Sequence, residues 1–241
     1  MTAPGKFLTA EWCHLAMLNY EIDPACLSPY VPRGTELDAW NGKTFVSLVG
    51  FLFRDTRVLG WPIPFHRNFE ELNLRFYVRR RGPDGWRRGV VFIKEIVPRV
   101  AIAAVARWLY NEPYIARPMR HAISSTTAES APRVEYAWRQ HGRWNRLVAK
   151  TAGDLQAIAP GSEEEFITEH YWGYTAQRDG GCLEYQVEHP PWRVWPVQES
   201  LLDCDAADLY GAEFAAVLGG KPGSAFVAEG SAVIVRRGVR I

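Results

Sequence analysis

The sequence predicts one mainly β domain of the α+β class, a β-barrel or sandwich with a few short helices packed on it. Three observations support this fold class. Runs rich in β-branched and aromatic residues recur along the chain, glycine-containing turns join several of them, and only three segments carry helix signals. The candidate linkers are short and typical of turns, so we expect residues 1–241 to form a single domain.

The strand signals follow in chain order. Residues 44–53 are rich in β-branched and aromatic side chains, and residues 71–78 alternate between apolar and polar. A Gly-Pro-Asp-Gly turn at residues 82–85 leads to an apolar run at residues 89–97, which predicts a hairpin. Further strands are expected in two more hairpins, at residues 133–139 with 143–150 and 171–177 with 182–188, then at residues 193–201, and in a closing pair at residues 225–228 and 232–236.

Three helices are predicted. Residues 100–110 are apolar and rich in alanine, and they lie between Pro98 and Pro113. Residues 162–170 open with a Ser-x-x-Glu capping box. Residues 205–218 begin with an aspartate cap and end before two glycines.

The composition excludes several classes of partner. The 28 basic and 27 acidic residues nearly cancel, so no net field attracts nucleic acid or an anionic membrane, and neither is expected as a partner. The first ten residues lack the pattern of a signal peptide, and no apolar run approaches the length of a membrane span. The four cysteines have neither C-x-x-C nor zinc-finger spacing, which favours free thiols in a reducing compartment. We therefore expect a cytoplasmic protein.

Glu71, Asn73 and Arg75 occupy alternate positions of one predicted strand and therefore share one face. If that face lines an interior cavity, Glu71 is a candidate acid or base, and Asn73 and Arg75 are candidates to bind a small polar ligand. Arg75 would hold a carboxylate. Two other interpretations stay open, namely a solvated outer face and a Glu71–Arg75 pair that satisfies itself.

Loop and junction residues provide further candidates. His66 lies in the loop before that strand, and His170 and Trp172 lie at a junction from helix to strand. These histidines are candidates for proton transfer, or else are cap and surface residues. His66, His170 and His189 lack the spacing of a zinc-binding helix, so no metal is expected. The sequence contains no nucleotide-binding glycine motif and no serine-nucleophile motif, and no cofactor is expected.

Four segments together resemble one family. Residues 65–78, with the sequence FHRNFEELNLRFYV, resemble a signature of the YqjF-like family, which contains domain of unknown function 2071. Three further segments also resemble sequences of this family and follow in the same order along the chain, namely residues 89–92, 169–174 and 187–192. That family is similar in fold to acetoacetate decarboxylase, so the resemblance implies a closed, β-barrel-like domain with a central pocket.

The resemblance also implies that one reaction is lost. Acetoacetate decarboxylases use a lysine that forms a Schiff base, in a motif that runs Gly-Arg-Glu and then Pro-Lys-Lys. In the matching stretch, Arg107 and Pro113 agree with the motif, whereas Tyr114 and Ile115 stand at the two lysine positions. Neither side chain forms an imine, and Lys94 lies on the preceding strand, outside the motif.

Two functional hypotheses follow. The first is a pocket that binds, or also transforms, a small organic acid or carbonyl compound without a Schiff base. Glu71, which matches the pocket glutamate of the decarboxylases, is then the acid or base, and His66 is a second catalytic candidate. The ligand-binding candidates are Asn73, Arg75, Arg107, Tyr114, His170 and Trp172. The second hypothesis is a non-catalytic ligand-binding or structural protein, and a homo-oligomer is compatible with both.

Overall fold

The computed structural model describes residues 4–100, 111–124 and 131–241, and strands dominate these ranges as predicted. The strands are β1 (Lys6–Ile22), β2 (Glu36–Leu37), β3 (Thr44–Val58), β4 (Trp61–Pro62), β5 (Phe69–Gly82), β6 (Gly85–Val97), β7 (Tyr114–Ala116), β8 (Met119–Ser124), β9 (Arg133–Gln140), β10 (Arg143–Thr151), β11 (Gln156–Ala157), β12 (Trp172–Ala176), β13 (Cys182–Glu188), β14 (Arg193–Asp203), β15 (Ser224–Arg236) and β16 (Val239–Arg240). The α-helices are α1 (Pro24–Leu27), α2 (Glu163–Thr168), α3 (Ala206–Tyr210) and α4 (Ala212–Leu218), and a 3₁₀ turn spans Ser28–Tyr30.

Seven strands form a ring of hydrogen-bonded neighbours, in the order β15, β1, β3, β5, β6, β12 and β13. The pairing of Val187 in β13 with Val235 in β15 completes the ring. Neighbours in the ring are antiparallel except for β6 and β12, which are parallel. Beyond β15 the sheet continues through β14, β10 and β9 to β8. The mixed sheet therefore encloses an interior space on one side of β5 and covers a core on the other.

Strand β5 shows how an alternating sequence builds these two layers. Leu72, Leu74 and Phe76 are fully buried, and they share a core with Leu209 of α3 and Phe214 of α4. Burial of each side chain contributes about 2 kcal/mol to folding. This face of β5 therefore belongs to the core, and the opposite face of β5 lies toward the ring interior.

All three predicted hairpins are present, formed by β5 and β6, by β9 and β10, and by β12 and β13. The closing pair predicted at residues 225–228 and 232–236 is wrong, because one continuous strand, β15, covers both ranges. Gly230 lies within it at a φ of 86°. A Cβ at this position would lie 1.9 Å from the carbonyl oxygen of Trp12. The glycine therefore allows close approach of β15 to β1 and does not mark a turn.

The predicted capping box begins α2. The hydroxyl oxygen of Ser162 accepts from the amide of Glu165 at 3.2 Å, and the Glu165 carboxylate accepts from a backbone amide one residue before the cap. The single helix predicted at residues 205–218 is wrong, because Gly211, at a φ of 98°, separates α3 from α4. Residues 101–110 of the remaining predicted helix lie outside the described residues. Within the described ranges, no helix has the length and apolar character needed to cross a membrane.

Strand β1, with 17 residues the longest strand among those described, was not predicted. It pairs with β15 on one side and with β3 on the other. Residues 15–20 of this strand are all buried, so its central part does not alternate. A continuous apolar run fits a buried strand and a buried helix equally well, and only the neighbouring strands distinguish them.

Candidate functional site

A cavity of about 360 Å³ lies inside the ring, and each of the seven ring strands contributes side chains to its wall. Most of the wall is apolar or aromatic. The apolar side chains are those of Phe7, Leu8, Trp12, Leu15, Phe51, Phe53, Val58, Ile63, Phe69, Val90, Phe92, Trp172, Val187, Trp192 and Val235. A concave, mostly apolar space of this size with a few polar groups is typical of a small-molecule site.

The polar face of β5 lies in this wall. Glu71, Asn73 and Arg75 are 3%, 2% and 9% exposed, and all three line the cavity. The interpretation of this face as a solvated outer surface is therefore wrong. Because a buried polar group costs free energy unless it is hydrogen-bonded, the partners of each side chain decide what this wall can do.

Glu71 is held by two donors. Asn73 Nδ2 donates to its Oε1 at 3.1 Å, and the Tyr114 hydroxyl donates to its Oε2 at 3.0 Å. Asn73 is paired across the hairpin with Glu95 of β6, which is also buried and also lines the cavity. Tyr114, at a position where the decarboxylase motif carries lysine, is thus a hydrogen-bond partner of the pocket glutamate.

Glu112 brings a third carboxyl into the same wall, from the segment before β7. Its Oε1 accepts from the hydroxyl of Thr175 and from that of Tyr185, the latter at 2.9 Å. Gly173 provides the space for this tyrosine, because a Cβ at Gly173 would lie 2.1 Å from the Tyr185 ring. Strands β12 and β13 therefore place Tyr185 over the carboxyl of Glu112.

Glu71, Glu95 and Glu112 form what we call the carboxyl cluster. Burial raises the pKa of Glu71 to about 7 and that of Glu112 to about 7. Burial, with repulsion from Glu112 and Glu71, raises the pKa of Glu95 well above its usual range. These carboxyls cannot all be ionised together, so near neutral pH the cluster keeps protons and is able to donate and accept them. Over the described residues, no three His, Cys, Asp or Glu side chains are arranged to hold a metal ion.

Arg75 lies in the same wall without a carboxylate partner among the described residues. Its Nη2 donates to the Ile167 carbonyl at 3.4 Å and lies 3.9 Å from Met17 Sδ, while its Nε has no acceptor. Glu71 is four positions away on the same strand, which corresponds to about 13 Å between Cα atoms. The structure therefore does not contain the self-satisfied Glu71–Arg75 pair. The cavity instead has one end with a guanidinium and one end with carboxyls.

His170 lines the cavity as a neutral ring. Its Nε2 lies 3.3 Å from Oδ2 of Asp38, which also accepts from Arg88 Nε at 2.7 Å. Burial lowers the pKa of His170 to about 4, against the opposing effect of its hydrogen bond to Asp38. At neutral pH the Nε2–H therefore donates to Asp38, and Nδ1, which has no partner, is left as an acceptor. The Tyr77 ring lies 4.6 Å away and holds the imidazole in place.

The remaining predicted residues lie in different places. His66 is half-buried in the cavity wall, and its Nδ1 lies 2.8 Å from the Pro64 carbonyl oxygen of its own loop. Trp172 forms part of the wall, with the Arg87 guanidinium 4.2 Å from its ring centroid. Arg107, the other candidate anion anchor, lies outside the described residues.

None of the five lysines of the chain, all of which lie within the described ranges, lines the cavity. Lys94 extends toward α3, where its Nζ donates to the Leu209 carbonyl. The expectation that no Schiff-base lysine replaces the one missing from the motif is consistent with this placement. A bound carbonyl compound in this cavity meets no lysine amine of the described residues.

Glu95, Glu112 and Tyr185 were not predicted as site residues. Glu95 has a signal in the sequence, because it is the one acid in the apolar run at residues 89–97 and lies opposite Asn73 in the predicted hairpin. Glu112 lies within the segment that was compared with the decarboxylase motif. Tyr185 has no comparable signal, since its position depends on the packing of β13 against β12.

The fold and the polar cavity define the chain as a protein with the acetoacetate decarboxylase-like fold. The enduracididine biosynthesis enzyme MppR, complexed with pyruvate, has a TM-score of 0.70 and 13% sequence identity, covering 100% of this chain and 91% of that one. An acetoacetate decarboxylase from Legionella pneumophila has a TM-score of 0.68 and 13% identity, covering 100% of this chain and 89% of that one. At this identity the likeness shows the fold alone.

The chain belongs to the DUF2071 family, whose model is described as an uncharacterized conserved protein and matches residues 9–232. The uncharacterized protein YqjF of Bacillus subtilis (strain 168) is 26% identical over 206 residues, which cover 83% of this chain and 80% of that protein. The family resemblance inferred from the sequence is confirmed.

Proposed function

We propose that the cavity binds a small organic acid that carries a carbonyl group, and that the carboxyl cluster moves protons on this ligand without an imine. The observation that carries the proposal is the polarity of the cavity. A buried guanidinium that has no carboxylate partner among the described residues lies at one end, and three buried carboxyls lie at the other.

Arg75 is suited to hold the acid group of the ligand. An unpaired buried charge is costly, and a carboxylate restores the missing partner through charge-assisted hydrogen bonds. The Nε of Arg75 has no acceptor among the described residues, so the guanidinium retains unused donor capacity. MppR, which shares the fold, is described as a complex with pyruvate, a molecule that combines a carboxylate with a carbonyl.

The carboxyl cluster is suited to acid–base chemistry at the carbonyl. A group is most effective as an acid or base when its pKa lies near the working pH, and Glu71 and Glu112 have pKa values of about 7. One ionised carboxylate takes a proton from the carbon beside the carbonyl, and a neighbouring protonated carboxyl gives a proton to the carbonyl oxygen. The product of this balanced step is the enol, and no bond to the protein forms.

The test is proton exchange in deuterated water. Wild-type protein is incubated with acetoacetate, pyruvate and levulinate, and loss of the C–H signal beside the carbonyl is followed by proton NMR. We expect exchange above the buffer rate, a loss of about 100-fold in Glu71→Gln, and weaker binding in Arg75→Met. Glu135→Gln, a carboxyl of β9 that pairs with Arg133 outside the cavity, is the matched control.

The same experiment distinguishes an enzyme from a binding protein. A ligand that raises the melting temperature but shows no exchange identifies the non-catalytic ligand-binding alternative. Absence of both binding and exchange for all three acids would refute the proposed function.

A further inference from the structure

Two buried acceptors in the cavity wall have no donor. They are Oδ1 of Asn73 and Oε2 of Glu95, and each belongs to a side chain that lines the cavity and is 2% exposed. The two residues are paired across strands β5 and β6, so their side chains emerge side by side. Buried acceptors of this kind are normally hydrogen-bonded, and here no described residue supplies a donor.

The side-chain donors described at this end of the cavity donate to carboxyls of the carboxyl cluster. The Asn73 amide and the Tyr114 hydroxyl donate to Glu71, and the Tyr185 hydroxyl donates to Glu112. A hydroxyl has one hydrogen to give, so a ligand meets these tyrosines as acceptors. Apart from the second amide hydrogen of Asn73 and the protons that the carboxyl cluster keeps, the hydrogen-bonding capacity that remains for a ligand is acceptor capacity, on Asn73 and on the carboxyl cluster.

We propose that this end of the cavity binds a cationic group with several N–H donors, a primary ammonium or a guanidinium, so that the ligand is an amino or guanidino acid. The inference rests on the proposed function, because the carboxylate of the same ligand is held by Arg75. The apolar wall between the two ends fits the methylene chain that joins the two charges. The distance of about 13 Å between the Cα atoms of Glu71 and Arg75 leaves room for such a chain between the two side chains.

A bound cationic group also reduces the repulsion between the buried carboxyls of the carboxyl cluster. Its charge stabilises the ionised carboxyls and lowers their pKa values, so that binding releases protons from Glu71, Glu95 or Glu112. A bound water molecule would also satisfy the two acceptors, but it carries no charge and releases no proton. The number of protons released on binding therefore distinguishes a cation from water.

The experiment compares matched ligands by isothermal titration calorimetry at pH 7. γ-Aminobutyrate, δ-aminovalerate and ε-aminocaproate are each paired with the alkanoate of equal length, and adipate serves as a ligand with a second negative charge. We expect at least one amino acid to bind about tenfold or more tightly than its alkanoate, and adipate to bind more weakly than both. Titrations in phosphate and Tris buffers should show release of up to about one proton with the amino acid and none with the alkanoate.

Variants test which residues cause the preference for the amino acid over its alkanoate. Glu95→Gln should remove most of the preference for the amino acid over its alkanoate, while Arg75→Met should weaken both ligands. Glu135→Gln should change neither. Equal affinity for amino acid and alkanoate in the wild-type protein, or binding without proton release, overturns this inference but not the proposed function. Failure of every acid to bind overturns the proposed function itself.

Discussion

Replacement of Glu71 by glutamine is expected to stabilise the folded protein at pH 8 and to destabilise it slightly at pH 4. Burial raises the pKa of Glu71 from an ordinary value of 4.5 to about 7. Between these values the folded carboxyl keeps a proton that the unfolded chain has lost, so stability falls as the pH rises through this window. The full difference corresponds to about 3 kcal/mol.

Glutamine removes the ionisation and keeps the size of the side chain. Its amide oxygen replaces only one of the two acceptors that now bind Asn73 and Tyr114. One mismatched hydrogen bond costs about 1 kcal/mol. We therefore expect Glu71→Gln to be about 2 kcal/mol more stable than the wild type at pH 8 and about 1 kcal/mol less stable at pH 4. For a chain of this size, the gain at pH 8 raises Tm by about 6 °C.

Urea and thermal melts of the wild type and the variant at pH 4, 6 and 8 measure this change of sign. Glu184→Gln is the contrasting control, because Glu184 is a buried carboxyl that pairs with Arg80 at 3.0 Å and with Arg87. Its replacement should lower the free energy of unfolding by about 2 kcal/mol at pH 8, because two guanidinium groups lose their carboxylate partner. An equal loss of stability in Glu71→Gln at pH 4 and pH 8 would refute the reasoning, because Glu71 would then have the same pKa in the folded and the unfolded protein.

Three further outcomes are expected. Arg75→Met should not destabilise the unliganded protein, because it removes a buried charge that has no carboxylate partner among the described residues. In a double-mutant cycle of urea melts with Glu71→Gln, the coupling energy should be small, because no ion pair joins the two residues; a coupling energy above about 2 kcal/mol would contradict the geometry. Borohydride treatment with acetoacetate or pyruvate should leave the mass of the protein unchanged, and an adduct at Lys94 would show that a lysine does reach the ligand. His170, with a pKa lowered from 6.5 to about 4, contributes stability above pH 6.5 that is lost as the pH falls toward 4. In melts, His170→Gln should reduce the decrease in the free energy of unfolding between pH 6.5 and pH 4. An unchanged decrease would show that other titratable groups cause it.

The residue pattern was sufficient to predict the three hairpins and one wall of the cavity. The alternation at residues 71–78 placed Glu71, Asn73 and Arg75 on one face, because side chains of a strand alternate with a period of two. Tyr114 and Ile115, at the two lysine positions of the motif, predicted the absence of a Schiff-base lysine, since this is a property of residue type. Turn residues marked the three hairpins for the same local reason.

The chemistry available in the cavity depends on contacts between residues that are distant in the sequence. The ring depends on the pairing of β13 with β15, which are far apart in sequence, and this ring brings Glu95, Glu112 and Tyr185 to the wall that Glu71 occupies. It also leaves Arg75 without a carboxylate, although a Glu and an Arg on one strand face are compatible with a pair. Burial and the charges of neighbouring groups set the pKa of a carboxyl. In this fold those neighbours come from five strands and the segment before β7, so no local pattern of residues specifies them.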